Sequence, residues 1–524
     1  MIKNVFNNVP KEVSRITSIL NDAGFEAYLV GGCVRELLRD KKPKDWDITT
    51  KAKPEDILKV FEGTHKTFYE NDYGTVGVVV EEWQKKEEIG NVIHETSDFP
   101  AHETNFNANN NVIHETSPIV EITPYRLEAK YSDSRHPDKV IYSKNIEEDL
   151  KRRDFTMNAI AYEPDKGQLI DLYNGQKDIK DKIIRAVGNP EERFSEDALR
   201  IVRGVRLATE LGFEIETETK EAIIKTSNKL ANISIERIRD EFVRIVMSER
   251  PMWGIELARE LGILKYIIPE LETGIGIEQN AAHAFHVWEH NLRTLQHGAK
   301  KNWTLKVRIA ALLHDVAKPQ TRRWSNEKNN WTFYGHDVVG ARVAEKVMER
   351  LKFPKKLSED VVLLVRYHLF FSDTEKITHS AVRRILRSVG KDNIWDLMKV
   401  RACDRIGTGR PKENPYRLRK YEAMIEEVMR DPISVGALKI DGAKIMEMTG
   451  EKPGRRIGWV LHALLEEVIE DPKKNTEEYL EERIKILFAL SDKELEMLGR
   501  AAKEKKEETE EAEVKEIRKR HWVE

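Results

Sequence analysis

The chain has 524 residues, too many for one ordinary core, and 40% apolar with 34% charged residues describes roughly three or four packed domains with a very polar surface. Cys33 and Cys403 are the only cysteines, which excludes a disulfide framework or a cysteine-built zinc site and suits a reducing cytoplasm. No segment stays apolar for the ~18 residues of a membrane span, Met1-Ile2-Lys3-Asn4 lacks a signal peptide's opening, and a net charge of −3 leaves any nucleic-acid contact to local basic patches.

Apolar residues at helical spacing predict a helix over 11–23, stopped by Gly24. Ala27-Tyr28-Leu29-Val30 reads as a short buried strand ending in Gly31-Gly32, with a helix through Val34-Arg35-Glu36-Leu37-Leu38 behind it. Trp46-Asp47-Ile48-Thr49, Val76-Gly77-Val78-Val79-Val80 and Ile119-Val120-Glu121-Ile122-Thr123 read as further strands. Residues 82–118 interrupt the last two with a polar loop in which NVIHETS at 91–97 recurs at 111–117, a local duplication. Its repeated His-Glu pairs read as surface loop, not as a metal site. From about residue 176 helical periodicity dominates. The last ~25 residues alternate charge blocks and read as a solvated terminal helix.

Asp45 and Asp47 stand at i and i+2, a spacing that turns both carboxylates to one face of a strand, where they can share divalent cations. Magnesium takes oxygen ligands, commonly one or two carboxylates plus substrate phosphates. Nucleotidyl transfer needs such a centre: one ion lowers the pKa of an attacking 3′-hydroxyl, the other neutralises the triphosphate. An Asp-x-Asp step is common at strand ends, so its surroundings decide. Gly31-Gly32, between a strand and a helix, lets backbone N–H groups approach a phosphate, and Arg35 one turn on can add a charged contact. No third glycine follows at the dinucleotide-binding spacing.

GGCVRELL (31–38) followed by KDWDI (44–48) resembles the signature of class II tRNA nucleotidyltransferases and bacterial poly(A) polymerases, with Glu36 where that family usually has aspartate. Four more blocks resembling family motifs follow in order: DLKRRDFTMNA (149–159), DLYNG (171–175), EDALR (196–200) and SIERI (234–238). The resemblance implies an α/β nucleotidyltransferase head followed by mostly α-helical neck, HD body and tail domains. The expected segments are 1–160 for the head, 161–255 for a helical neck that selects the base and binds RNA, 256–425 for the HD domain, 426–490 for a helical RNA-binding tail, and 491–524 for a charged C-terminal helix or tail. It also implies that Arg152, Arg153, Asp154 and Asn158 line ribose and phosphates. Glu121 is a candidate third carboxylate near the metals, or a plain surface glutamate.

Asp197 and Arg200 fall in an amphipathic helical stretch and project from one face. A carboxylate can accept from the exocyclic amine of cytosine or adenine while a guanidinium donates to the adjacent ring nitrogen; uracil and guanine would leave both contacts unpaired or repulsive. The family chooses bases with this motif, which implies the same role for Asp197 and Arg200. Arg203 and Arg206 continue the spacing, either toward triphosphate or RNA or as solvated helix arginines. YSDSRHP (131–137), with Arg135, resembles the flexible loop that in this family supports the switch from C to A addition.

His290, His314-Asp315 and Asp404 resemble the H…HD…D order of the HD phosphohydrolases, and His336 and His368 add two imidazoles. His314-Asp315 ends the apolar run Ile309-Ala310-Ala311-Leu312-Leu313, so both ligands would sit at a helix's buried end. Imidazole plus carboxylate suits a transition metal such as Mn2+ or Ni2+. Lys452-Pro453-Gly454-Arg455-Arg456 reads as a turn opening a helix, suited to a phosphate contact or an ordinary helix start. The expected activity is CTP(ATP):tRNA nucleotidyl transfer that builds the 3′-terminal CCA, with magnesium, tRNA, CTP and ATP as cofactor and partners. Alternatives are a poly(A) polymerase, an enzyme that adds only A, and an HD-domain phosphohydrolase whose head merely binds RNA.

Overall fold

The computed structural model describes residues 6–70, 74–80, 119–127, 141–279, 284–369, 378–429, 438–470, 472–500 and 518–522. They fall into two compact units, Met1–His368 with Lys399–Pro411, and Leu369–Met398 with Lys412–Glu524. The duplicated loop, with its His94-Glu95 and His114-Glu115 pairs, lies outside the described residues, as do Arg135 and the 131–137 segment and most of the charged C-terminal stretch.

The first unit opens with helix α1 (Lys11–Asp22), which buries Val13, Ile16, Thr17 and Leu20 along one stripe. Next come strand β1 (Ala27–Val30), helix α2 (Gly32–Leu38), strand β2 (Trp46–Thr50) and helix α3 (Pro54–Phe61). Strands β3 (Thr67–Tyr69), β4 (Val76–Val79) and β5 (Ile119–Pro124) follow. Helix α4 (Ile146–Lys151) leads to β6 (Ile160–Glu163) and β7 (Gln168–Asp171). The seven strands form one sheet in the order β3-β4-β5-β2-β1-β6-β7. Only β2 and β5 run parallel; the other neighbours are antiparallel.

This order positions the head's chemistry. Antiparallel pairing of β1 with β2 matches Leu29 to Ile48, so the end of β1 and the start of β2 share one edge of the sheet. Parallel pairing of β2 with β5 places Glu121 opposite Asp47. Strands β3, β6 and β7 are additions to the expected set, and the sheet continues through Asp171, past the head boundary expected at 160. The pattern of β6 hides it: all four residues are buried, so the alternation that marks a half-exposed strand is absent.

Beyond the sheet, α5 (Pro190–Glu196), α6 (Leu199–Leu211) and α7 (Ile235–Met247) form the neck, with α6 packed on α7. Five helices build the body: α8 (Val287–Lys300), α9 (Leu305–Leu313), α10 (His336–Arg350), α11 (Lys355–Tyr367) and α12 (Lys391–Gly407). All nine residues of α9 are buried, Lys306 and Arg308 included, so the helix has no exposed face and ends in the apolar run 309–313. Thr304 starts it by accepting a hydrogen bond from the Val307 amide. Buried Arg308 on α9 donates to the carbonyls of Val246 and Ser248, tying the neck's end to the body.

The second unit has its own core, in which Ile445, Val460, Leu464, Leu480 and Ile484 pack together. Its helix Arg455–Glu470 starts where the Lys452-Pro453-Gly454 turn predicts. Arg456 there bonds Asp492 and the carbonyls of Phe488 and Leu490, so it clasps its own unit and only Arg455 stands exposed. No described helix is long and apolar enough to cross a membrane.

Candidate active site and a second cluster of metal ligands

At the shared edge of the sheet, Asp45 is exposed just ahead of β2 and Asp47 is half-buried within it. Burial pushes Asp47 up to about 6, against the pull of Arg153 and with a further push from Asp45. Glu121 is driven up to about 8 by burial, then by Asp47, Glu70 and Asp45. Carboxylates crowded this closely resist full ionisation unless a cation joins them. The donor set is therefore what a hard divalent cation takes. The sheet register sets Glu121 beside Asp47 on the neighbouring strand, half-buried and not at the open surface. Glu70, just past β3, belongs to the same charged group and had no signature in the sequence, since a lone acid after a three-residue strand carries no pattern.

Gly31 separates β1 from α2 with a φ of 78°, in the left-handed region that a Cβ disfavours. A Cβ there would lie 3.3 Å from Arg153 Nη1 and 3.5 Å from Asp47 Oδ2. The glycine thus leaves space between an arginine and the carboxylate pair. We expect Gly31→Ala to lower kcat/KM for nucleotide incorporation about tenfold or more, since its Cβ would press on Arg153 and Asp47 and the strained turn would shift the groups that orient the triphosphate. Steady-state kinetics check this, and wild-type values would show that the space is not needed.

The arginines are held from behind. Buried Asp149 on α4 accepts from Arg152 Nε at 2.9 Å and Nη2 at 2.5 Å, and from Arg153 Nη2 at 3.0 Å. Burial would raise Asp149, yet Arg152 and Arg153 bring it below its ordinary value. Arg35 donates to Asn158 Oδ1 at 2.6 Å and to Glu36 Oε1 at 2.9 Å. Glu36, longer than the usual aspartate, thus orients the arginine before it. Asn158 in turn donates to Asp154, whose other oxygen takes Arg203 at 2.9 Å and 2.8 Å. Burial works against the Asp154 carboxylate, but Arg203 and Asn158 hold it well below the usual range.

Asp197 and Arg200 do not share one helix face as expected. Asp197 is the extended residue between α5 and α6, with φ −139° and ψ 104°. Its Oδ1 accepts from the Leu199 amide and its Oδ2 from Arg237 at 2.9 Å. Arg200 pairs with Glu196 at 2.7 Å and donates to the carbonyls of Arg193 and Arg152. Helical spacing failed here because Asp197 breaks the helix and caps the next one, as aspartate often does. Arg206 is not a solvated arginine either: it is buried and engaged by Glu241 and by Glu210 at 2.7 Å.

The second cluster lies in the body. His290 rides on α8, His314 and Asp315 follow α9, His336 opens α10, His368 follows α11, and Asp404 sits on α12. All six are buried. His290, His314 and Asp404 form one group of convergent ligand atoms, and Asp315, His336 and His368 another. Asp315 joins them: its Oδ2 lies 3.0 Å from His290 Nε2 and 3.3 Å from His314 Nε2, its Oδ1 3.2 Å from His336 Nε2 and 3.6 Å from His368 Nε2. The Nδ1 atoms of His314, His336 and His368 bond the carbonyls of Ala311, Phe333 and Val365, each three residues back. A carbonyl only accepts, so Nδ1 carries the proton of that bond, and in the neutral ring the Nε2 lone pair then faces inward. Nε2 of His336 and of His368 is buried with no hydrogen bond of good geometry. Convergent imidazole and carboxylate donors of this kind suit a transition metal, with one carboxylate able to bridge two ions.

The chain matches the Poly A polymerase head domain over residues 27–111 and 85–185, the "probable RNA and SrmB-binding site of polymerase A" over 212–275, and the HD domain over 287–408. It is 31% identical over 487 residues to the CCA-adding enzyme of Ligilactobacillus salivarius, spanning 92% of this chain and 99% of that one. The CC-adding tRNA nucleotidyltransferase of Thermus thermophilus is 36% identical over 330 residues, 61% of this chain and 73% of that protein. Among solved structures, the Bacillus stearothermophilus CCA-adding enzyme in complex with CTP is similar with a TM-score of 0.55 at 25% identity, covering 92% of this chain and 97% of that one.

Proposed function

Because the chain belongs to the CCA-adding enzyme family of nucleotidyltransferases, we propose that it adds the 3′-terminal CCA to tRNA, using CTP and ATP without a nucleic-acid template. The observation that carries the reading is the edge of the sheet where Glu121 pairs with Asp47, Asp45 joins the same charged group, and Asp47 and Arg153 flank Gly31. In the reaction the tRNA 3′-oxygen forms a bond to the α-phosphorus, the α–β bridging bond breaks, and pyrophosphate leaves. Asp45 and Asp47 would hold magnesium, with Glu121 beside them. A divalent cation bound there would supply charge neutralisation for the triphosphate and would acidify the attacking hydroxyl.

The chain's own groups bind and orient. The α2 amides behind Gly31-Gly32, with Arg35, Arg152 and Arg153, grip phosphate, and Asp149 keeps the last two arginines aimed. Asp154 and Asn158 line the ribose, and Arg203 braces Asp154. Arg206, fully paired in the neck, supports that wall from behind. Asp197 and Arg200 present acceptor and donor to the base. Each is fixed by a partner of its own, Arg237 and Glu196, so neither turns to satisfy the wrong base. Losing one charged hydrogen bond is worth about 1.5–3 kcal/mol. We therefore expect Asp197→Ala to reduce the preference for CTP over UTP about tenfold to a hundredfold. Competition between the two nucleotides on one tRNA primer measures it, and unchanged preference would remove Asp197 from base choice.

The defining experiment supplies tRNA lacking CCA with labelled CTP alone, ATP alone, or both. Two C residues followed by one A are expected. CTP use without A addition would place the chain with CC-adding relatives, and ATP use alone with A-adding enzymes or poly(A) polymerases. Buried thiols at Cys33 and Cys403 fit work in the cytoplasm.

A second reading concerns the body: the six-ligand cluster is a separate metal-dependent phosphoester hydrolase site. Asp315 facing both ligand groups supports it.

A further inference from the structure

Between the ligands Asp315 and His336 the chain leaves the body as a two-stranded hairpin, Arg323–Ser325 paired antiparallel with Asn330–Thr332. Both of its ends are tied to the cluster. On one side, the ammonium of Lys318 pairs with Asp315 at 2.5 Å and lies 5.5 Å over the Phe333 ring. On the other, the Phe333 carbonyl takes the Nδ1 of His336. The hairpin therefore rises from the ligand cluster itself.

Its side chains are unusual for an exposed turn. Trp324 and Trp331 stand directly opposite each other across the strands, rings edge-to-face with centroids 5.2 Å apart. Trp324 is 50% exposed, and Tyr334 just beyond is 73% exposed. The Arg322 guanidinium covers the Trp331 ring at 3.7 Å. Arg323 is exposed, and Lys328 donates to the Tyr334 hydroxyl at 2.5 Å. Two acidic groups are near: Glu278 lies 3.9 Å from Arg322, and Glu327 precedes Lys328 on the turn. Three cations still outnumber them. The cross-strand tryptophan pair braces the short hairpin, yet it leaves Trp324 half exposed to solvent. Exposed aromatic faces interleaved with arginine and lysine are what stacks unpaired bases while neutralising the phosphates between them.

We infer that the hairpin at 322–334 is a binding platform for single-stranded RNA at the rim of the histidine–aspartate cluster, with a base stacked on Trp324 and phosphates met by Arg322, Arg323 and Lys328. Only the chemical fate of the bound strand rests on the hydrolase reading of the cluster; the stacking surface stands on its own geometry. A single strand is favoured over a duplex because paired bases offer no free face to an indole.

The test uses the full-length protein and a single-stranded RNA decamer carrying 4-thiouridine, photo-cross-linked and mapped by proteolysis. Cross-links are expected in the peptide containing 323–332, their yield about five- to hundredfold lower in Trp324→Ala at subsaturating RNA. Trp324→Phe, which keeps an aromatic face, is expected to retain most of the yield, and Arg322→Gln to weaken it and flatten its salt dependence. Incorporation of CTP into tRNA by Trp324→Ala reports that the protein is folded. Cross-links confined to the head and neck, or a yield untouched in Trp324→Ala, would overturn the inference. So would sedimentation showing that Trp324→Ala only separates copies of the chain, because the hairpin would then be a protein–protein contact. Hydrolysis of bis(p-nitrophenyl) phosphate by the wild-type protein with Mn2+ examines the metal site independently. If hydrolysis is absent while the cross-link holds, the hydrolase reading fails and the platform stands.

Discussion

Replacing Asp45 and Asp47 together by alanine is expected to reduce CTP incorporation by roughly 10³-fold or more, to the limit of detection. The same substitution should not unfold the protein. Asp47 and Glu121 are pushed up to about 6 and about 8 by burial and by their acidic neighbours, so the cation-free head carries repulsion that the substitution relieves. The milder Asp47→Asn keeps the shape of the side chain and is expected to leave the cation-free thermal midpoint unchanged or slightly raised. Added magnesium should raise the midpoint of the wild type and not that of the double variant. Loss of activity with the fold intact separates a functional carboxylate from a structural one. Incorporation that survives in the double variant would sink the mechanism.

Asp315→Ala is expected to abolish hydrolysis of bis(p-nitrophenyl) phosphate in Mn2+ or Ni2+ while leaving CTP incorporation within about twofold of wild type. Asp315 faces both ligand groups, and its loss removes an oxygen donor from the side of each. The variant also strips Lys318 of a buried partner, and breaking such a pair costs about 3–5 kcal/mol. A fall in thermal midpoint is therefore expected, and Asp315→Asn is the companion that keeps the volume and part of the hydrogen bonding. In the wild type a tight-binding ion should raise the midpoint, by about 4 kcal/mol of stability at a thousand times its Kd. Hydrolysis that persists in both variants would place the activity elsewhere or in a contaminant. Hydrolysis absent from the wild type with every metal tried would leave the cluster a structural metal site.

The head's chemistry was legible because it is written in short contiguous blocks. Gly31-Gly32, Arg35, Asp45 and Asp47 fall within seventeen consecutive positions, and strand–turn–helix patterning predicts their shared neighbourhood before any tertiary contact is known. The histidine–aspartate order was legible for another reason: His314-Asp315 ends the apolar run 309–313, where an imidazole and a carboxylate are costly unless partnered, and the H…HD…D order resembles a known ligand set. Helical spacing misled at Asp197, where one residue leaves the helix to cap the next. Arg206 and Arg456 looked like free cations, yet each is engaged by partners distant in sequence that no local pattern announces.

By itself, then, the sequence determined the residue types: two aspartates two apart behind a glycine pair, and four histidines and two aspartates, side chains of a kind that can hold a metal, spread across the body. Only the tertiary structure decided which of them meet. The register of β2 against β5 gave Asp47 its neighbour Glu121, because strand pairing is set by packing across the whole sheet and not by either strand alone. The convergence of five helices put one oxygen of Asp315 toward each ligand group. Spacing along a chain fixes which face of an element a side chain leaves from; which other element lies opposite that face is a property of the fold.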